Sequence, residues 1–168
     1  VERSIVCRGS KNDWPRTADD GGFRYRPDET RADGQEEGEP LRSYGSISYA
    51  GCKSLIFAGL SQDDPRVRAV YNYIRRHYTV EKNPNLGQQS LYYYYMTMAK
   101  CLNIYGAEVI VTPDGTEHDW RTELVAQLMN IQDADNAWRN EAGRWMERIP
   151  ELTTAYAVLA IERAWENW

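Results

Sequence analysis

Beyond about residue 45, apolar side chains recur every three or four positions, the spacing that places them on one face of an α-helix. In SISYAGCKSLIFAGL the stripe runs through Ile47, Ala50, Ser54 or Leu55, and Ala58, with Gly59 as the C-cap candidate. A second helix is predicted over PRVRAVYNYIRRHY, opened by Asp63 or Asp64 ahead of Pro65. It ends in Arg75, Arg76 and His77, cations at the negative end of the dipole. After a loop from Asn83 to Gly87, QQSLYYYYMTMAKCLNIYG forms a third helix closed by Gly106. VIVTPDGTEH reads as a short extended excursion turning at its Pro-Asp-Gly. Asp119 then caps DWRTELVAQLMNIQ, with Glu123 in its opening turns, and ELTTAYAVLAIERAW forms the last helix. A short helix is expected in EAGRWMERI, and no two segments pair convincingly as a hairpin. The predicted fold class is all-α.

Residues 28–40, which include GQEEGEP, have no apolar period and read as a long surface loop. Among the helices a repeat emerges. SISYAGCKSLIFAGL, LYYYYMTMAKCLNIYG and LTTAYAVLAIERAW each join Tyr near the start to an apolar helix, and more charged helices alternate with them. Such alternation predicts helical pairs, each burying its face on the next.

The connecting turns repeat as well. Asp20, Gly21, Gly22 and Phe23 match Asp135, Asn136, Ala137 and Trp138, the second set preceded by Gln132. Gly and Asn accept positive φ at low cost, and an Asp side chain can bond the backbone two residues on. Asp20, Gly21, Phe23, Gln132, Asp135, Asn136 and Trp138 therefore read as a structural turn motif.

Composition narrows the partners. The 168 residues carry 20 basic and 25 acidic side chains, a net charge of −5, with the cations scattered. No basic stripe suggests nucleic acid, and no apolar run approaches the roughly 20 residues that span a bilayer. Cys7, Cys52 and Cys101 form no CxxC pair and read as buried small hydrophobes. Twelve Tyr and six Trp against two Phe favour apolar surfaces or cavities that need hydrogen-bonding tips. The compartment stays open, with an exported, periplasmic location in a bacterium as the expectation.

QDADNAW and DDGGF resemble the Gln-to-Trp repeat of the squalene cyclase and protein prenyltransferase superfamily, usually Gln, three residues, Gly, one residue, Trp. Asn136 replaces the glycine here. DDGGFRYRP, LRSYGSISYAGCKSLIFAGL, DDPRV, GQQSLYYYYMTMAK, HDWR, NEAGRWME and TAYAVLA resemble the C-terminal half of bacterial proteins described only as prenyltransferase and squalene oxidase repeat proteins. The resemblance covers nearly the whole chain. It implies one domain, 1–168, built as a partial α/α toroid of helical pairs around a central cavity. Residues 1–44 would be an outer-helix tail (Val1 to Arg8) plus the long loop, and 45–168 the helical repeats. An N-terminal half, a second copy or a different protein would complete the ring.

The chemistry of that superfamily does not carry over residue by residue. Its zinc-binding members use Asp, Cys and His where this chain has Ser46, Ser48 and Thr153, and hydroxyls are poor zinc ligands. No metal and no cofactor is expected. His77 and His118 sit at helix ends, where hydrogen bonding explains them. The alkene-protonating members use Asp-x-Asp-Asp-Thr-Ala, to which DADN is the nearest string. Tyr49, Tyr92, Tyr93, Tyr95 and Tyr156 are the candidates to line a cavity that could hold a hydrophobic small molecule, although residues 92–95 span just over one turn and cannot all face one side. The functional expectation is a non-catalytic binding or scaffold module. Its alternatives are a cyclase whose acid lies outside this chain, or a glycan-active toroid enzyme using carboxylates among Asp19, Asp20, Asp133, Asp135 and Glu141. Trp120, Trp138, Trp145, Trp165 and Trp168 are assigned to packing, Trp14 to a loop, and Glu141 with Arg144 to a charge pair or a rim contact.

Overall fold

A computed structural model describes residues 18–26 and 28–166. The expected outer-helix tail Val1 to Arg8, with Cys7, Trp14 and Trp168, lies outside the described residues. Among those described, five α-helices dominate: α1 (Gly45–Phe57), α2 (Pro65–Arg76), α3 (Leu91–Tyr105), α4 (Trp120–Asn130) and α5 (Pro150–Trp165). None is long and apolar enough to cross a membrane.

The helix boundaries follow from capping chemistry. Asp64 accepts the Arg66 backbone N–H ahead of Pro65, and Asp119 accepts the N–H groups of Arg121 and Thr122. At the end of α1, Gly59 takes φ +86°, its N–H reaches the Ile56 carbonyl, and the Leu60 N–H reaches that of Leu55. Gly106, at φ +73°, ends α3 by the same pair of bonds, to Asn103 and from Ala107 to Leu102.

Two sequence expectations are corrected. The PDG excursion is a true hairpin: β1 (Ile110–Val111) pairs antiparallel with β2 (Glu117–His118), Ile110 opposite His118. Its turn is held by the Asp114 carboxylate, which accepts from the Thr112 hydroxyl and the Thr116 N–H. Strands this short carry no readable alternation. EAGRWMERI yields only a 3₁₀ turn, Arg144–Met146, because Trp145 and Met146 adopt φ of +56° and +67°. The buried stripe of α1 is also displaced, to Tyr49, Cys52 and Leu55, with Ser54 and Ala58 exposed. That helix is apolar on several sides, so spacing alone did not choose the inward face.

Helices α1, α3 and α5 form a row, α3 packed against both of the others, while α2 packs on α1 and α4 on α5. The row is parallel. At one end, Asn83 ties the Ser46 N–H at the start of α1 to the Gln89 carbonyl just before α3. At the other, Asn103 near the end of α3 donates to the Arg163 carbonyl near the end of α5. The core fills the space among these elements, with Trp120 fully buried and donating through Nε1 to the Ala107 carbonyl.

The two turn motifs adopt the expected geometry. Gly21 and Asn136 take φ of +79° and +63°. Asp20 accepts from the Gly22 N–H at 3.0 Å and Asp135 from the Ala137 N–H at 3.3 Å, the same bond two residues on. Each following aromatic is buried and gives its own N–H to a helix hydroxyl, Phe23 to Ser48 and Trp138 to Thr154. Gln132 closes its turn by donating to the Asn136 carbonyl. Trp138 sits against helix ends, its Nε1 on the Leu128 carbonyl and its own carbonyl accepting from Thr153. Phe23 lies over the middle of α1, its ring against Gly51.

Candidate functional site

The tyrosine run resolves residue by residue. Tyr94 and Tyr95 are fully buried, and their hydroxyls donate to the carbonyls of Thr79 and Val80 at 2.6 and 2.7 Å. They fasten the segment between α2 and α3, which explains Tyr where Phe would fill the same space. Tyr92 donates to the Arg139 carbonyl and Tyr49 stands edge-on to Tyr94, 5.6 Å between centroids. Tyr49 and Tyr95, expected to line a cavity, thus belong to the packed core. Tyr92 borders a separate concavity with Leu91 and Arg139, while Tyr93 faces one at the helix starts and its ring meets Tyr156 edge-on at 5.9 Å.

That concavity, about 260 Å³, opens where α1 and α3 begin. Ser46 and Ile47 come from α1, Tyr93 from α3, and Tyr44 and Ser90 are the residues immediately before those helices. Tyr25 and Trp145 form exposed aromatic walls, and Arg31 supplies a charge. The packing assignment of Trp145 is therefore corrected. So is that of Trp165, two thirds exposed on α5.

Two side chains from elsewhere finish the helix starts around this opening. Asn83 Oδ1 accepts the Ser46 N–H, and the buried Glu147 carboxylate accepts the Tyr93 N–H at 2.9 Å and an Asn140 amide N–H at 2.6 Å. Neither helix has a cap from its own flanking side chain. Burial raises the Glu147 carboxyl above its usual range, against the lowering pull of those bonds.

Two guanidiniums stand at the opening, one of them paired. Arg31 lies 2.8 Å from Glu29 and stacks over Tyr25. Arg144 lies over Trp145, 4.3 Å from the ring centroid, and donates to Gln89. Of the two readings given for Glu141 with Arg144, a charge pair or a rim contact, Arg144 makes a rim contact. Burial pushes the Tyr44 hydroxyl up to about 12, while Arg31 and Arg144 pull the other way.

The other candidate residues serve the scaffold. Asp133 and Asp135 are exposed and held by Arg139 at 2.6 Å each, which lowers Asp135 to about 2. Asp20 accepts from the Ser43 N–H and hydroxyl. Ser46 Oγ accepts from Asn83, and Ser48 donates to the Tyr44 carbonyl. Among the described residues no group of three or more His, Cys, Asp or Glu is arranged to hold a metal ion. Compared with family models, curated proteins and solved structures, the chain has no match.

Sequence reasoning missed Tyr25, Arg31 and Tyr44, and assigned Trp145 to packing. Tyr25 stands in RYRP, Arg31 in TRAD and Tyr44 in RSYG, irregular segments where periodicity has nothing to say.

Proposed function

We propose that this chain is a non-catalytic binding or scaffold module, a partial α/α toroid of squalene cyclase-like helical pairs whose aromatic-lined opening receives a hydrophobic small molecule. In this reading α1, α3 and α5 are inner helices, and α2 and α4 are outer ones. The parallel row, with α2 returning the chain from α1 to α3 and α4 from α3 to α5, carries the proposal, because it is the arrangement that stacked helical pairs produce. Support also comes from the two turns, which repeat the same bond two residues on and deliver an aromatic to a helix hydroxyl in both copies. A second copy, an N-terminal half or a different protein would complete the ring.

An acid able to protonate an alkene must be unusually strong and poised in its protonated form. Asp135, ionised and fixed on Arg139, does the reverse. Zinc chemistry of the prenyltransferase kind is likewise outside the proposal, since the three hydroxyls at those positions already hold backbone and amide groups.

Titration with a neutral, environment-sensitive naphthalene fluorophore tests the binding role. Saturable emission enhancement is expected, abolished by Tyr93→Ala combined with Trp145→Ala. Enhancement that persists in the double variant would overturn this opening as the binding site.

A further inference from the structure

We infer that the opening before α1 and α3 selects a small aromatic carboxylate, its ring between Tyr25 and Trp145 and its charge directed at Arg31 and Arg144. The inference rests on the binding role just proposed and narrows the ligand.

Tyr44 is the first support. It is 95% buried and lines the concavity, yet its hydroxyl has no hydrogen-bond partner among the described residues. Tyr44 lines the concavity, so its hydroxyl is available to a guest there. It can donate to a carboxylate oxygen.

The second support is charge. No Asp or Glu lines the concavity. Arg31 does line it, and Arg144 stands at its Trp145 wall, its guanidinium donating to the neutral Gln89 and, among the described residues, in no ion pair. Glu29 pairs with Arg31 at 2.8 Å and is shared with Arg26 at 3.8 Å, while the buried Glu147 carboxylate beside the opening is taken up by the Tyr93 and Asn140 N–H groups. A cationic ligand would be repelled, and a neutral one would leave the guanidinium excess unanswered. A carboxylate matches the planar fork of arginine.

Size and shape set the ring. A volume of about 260 Å³ admits one or two fused rings and is smaller than typical pockets for drug-sized ligands. Flat walls of Tyr and Trp suit a flat ring. The Trp145 wall is held at φ +56°, with Met146 at +67°, a conformation that bulky side chains adopt only against steric cost. The loop is shaped to present that indole outward.

Isothermal titration with 2-naphthoate and its neutral isostere 2-naphthamide provides the test. The acid is expected to bind about tenfold more tightly than the amide. Arg31→Gln and Arg144→Gln should each remove most of that preference with the melting temperature unchanged. Glu29→Gln should strengthen naphthoate binding by releasing Arg31, a gain that a purely structural role for these residues would not give. Equal affinity for acid and amide would overturn the anion preference while leaving the aromatic opening as a ligand site. If neither compound binds the folded protein, both the preference and the opening as a ring-binding site fall.

Discussion

Asn136 occupies the left-handed region at φ +63° in the position where its counterpart is Gly21. Its side chain contributes little that the turn needs, since the closing bonds come from Gln132 and Asp135. Asn136→Gly is therefore expected to be neutral or slightly stabilising, and Asn136→Val to cost about 1 to 3 kcal/mol, because a β-branched residue is strained at positive φ. Urea denaturation of the two variants measures both; a strongly destabilised glycine variant would show that the asparagine side chain itself holds the turn. Asp135 beside it makes a pH prediction with a definite sign. Its carboxyl is lowered to about 2 when folded, chiefly by its bonds to Arg139. The stability it contributes is present above the unfolded value near 4 and is lost as pH falls through about 2. Arg139→Gln should flatten that acid limb of the thermal stability profile, and an unchanged profile would mean that the exposed pair is screened.

At the scale of the element, α1 explains a glycine that propensity disfavours. Gly51 lies within the helix, where glycine costs roughly 1 kcal/mol relative to alanine. A Cβ there would come within 2.5 Å of the Phe23 ring, so the turn motif is seated on α1 through this missing methyl. Gly51→Ala should accordingly destabilise by about 1 to 3 kcal/mol despite the better helix former. Coupling to Phe23→Leu distinguishes the cause: a smaller side chain at 23 should recover part of the loss. The helices were legible in the sequence because caps and stops are local. Asp64, Pro65, Gly59, Gly106 and Asp119 act within a few residues of where they stand. The starts of α1 and α3 were not, since their caps arrive from Asn83 and Glu147, distant in sequence and fixed only by packing. The same limit hid the candidate site. Tyr93 was singled out by its place in a helix, whereas Tyr25, Arg31 and Tyr44 belong to irregular chain whose course no period encodes.

For the whole molecule the question is what covers the free side of the row. Helix α3 has neighbours on both sides, and α1 is backed by α2 and by Phe23 seated on Gly51. Helix α5 meets α3 and α4 but leaves Val158 about half exposed and Trp165 two thirds exposed, one and two turns apart with Ala155 along a stripe that the exposed Glu151 and Glu162 share. In a stack of helical pairs that stripe is where the next pair would bury its face. The partial-ring proposal therefore predicts that the 19.5 kDa chain does not remain a monomer in isolation, the α5 stripe of one copy covering that of another. Light scattering across a concentration series should give a mass above that of one chain. Val158→Glu with Trp165→Glu should return it to the monomer while circular dichroism keeps its helical signal, because neither side chain is in the core. A monodisperse monomer of the unaltered chain at high concentration would overturn the prediction, and would mean that this stripe is tolerated in water as an ordinary solvent-facing surface.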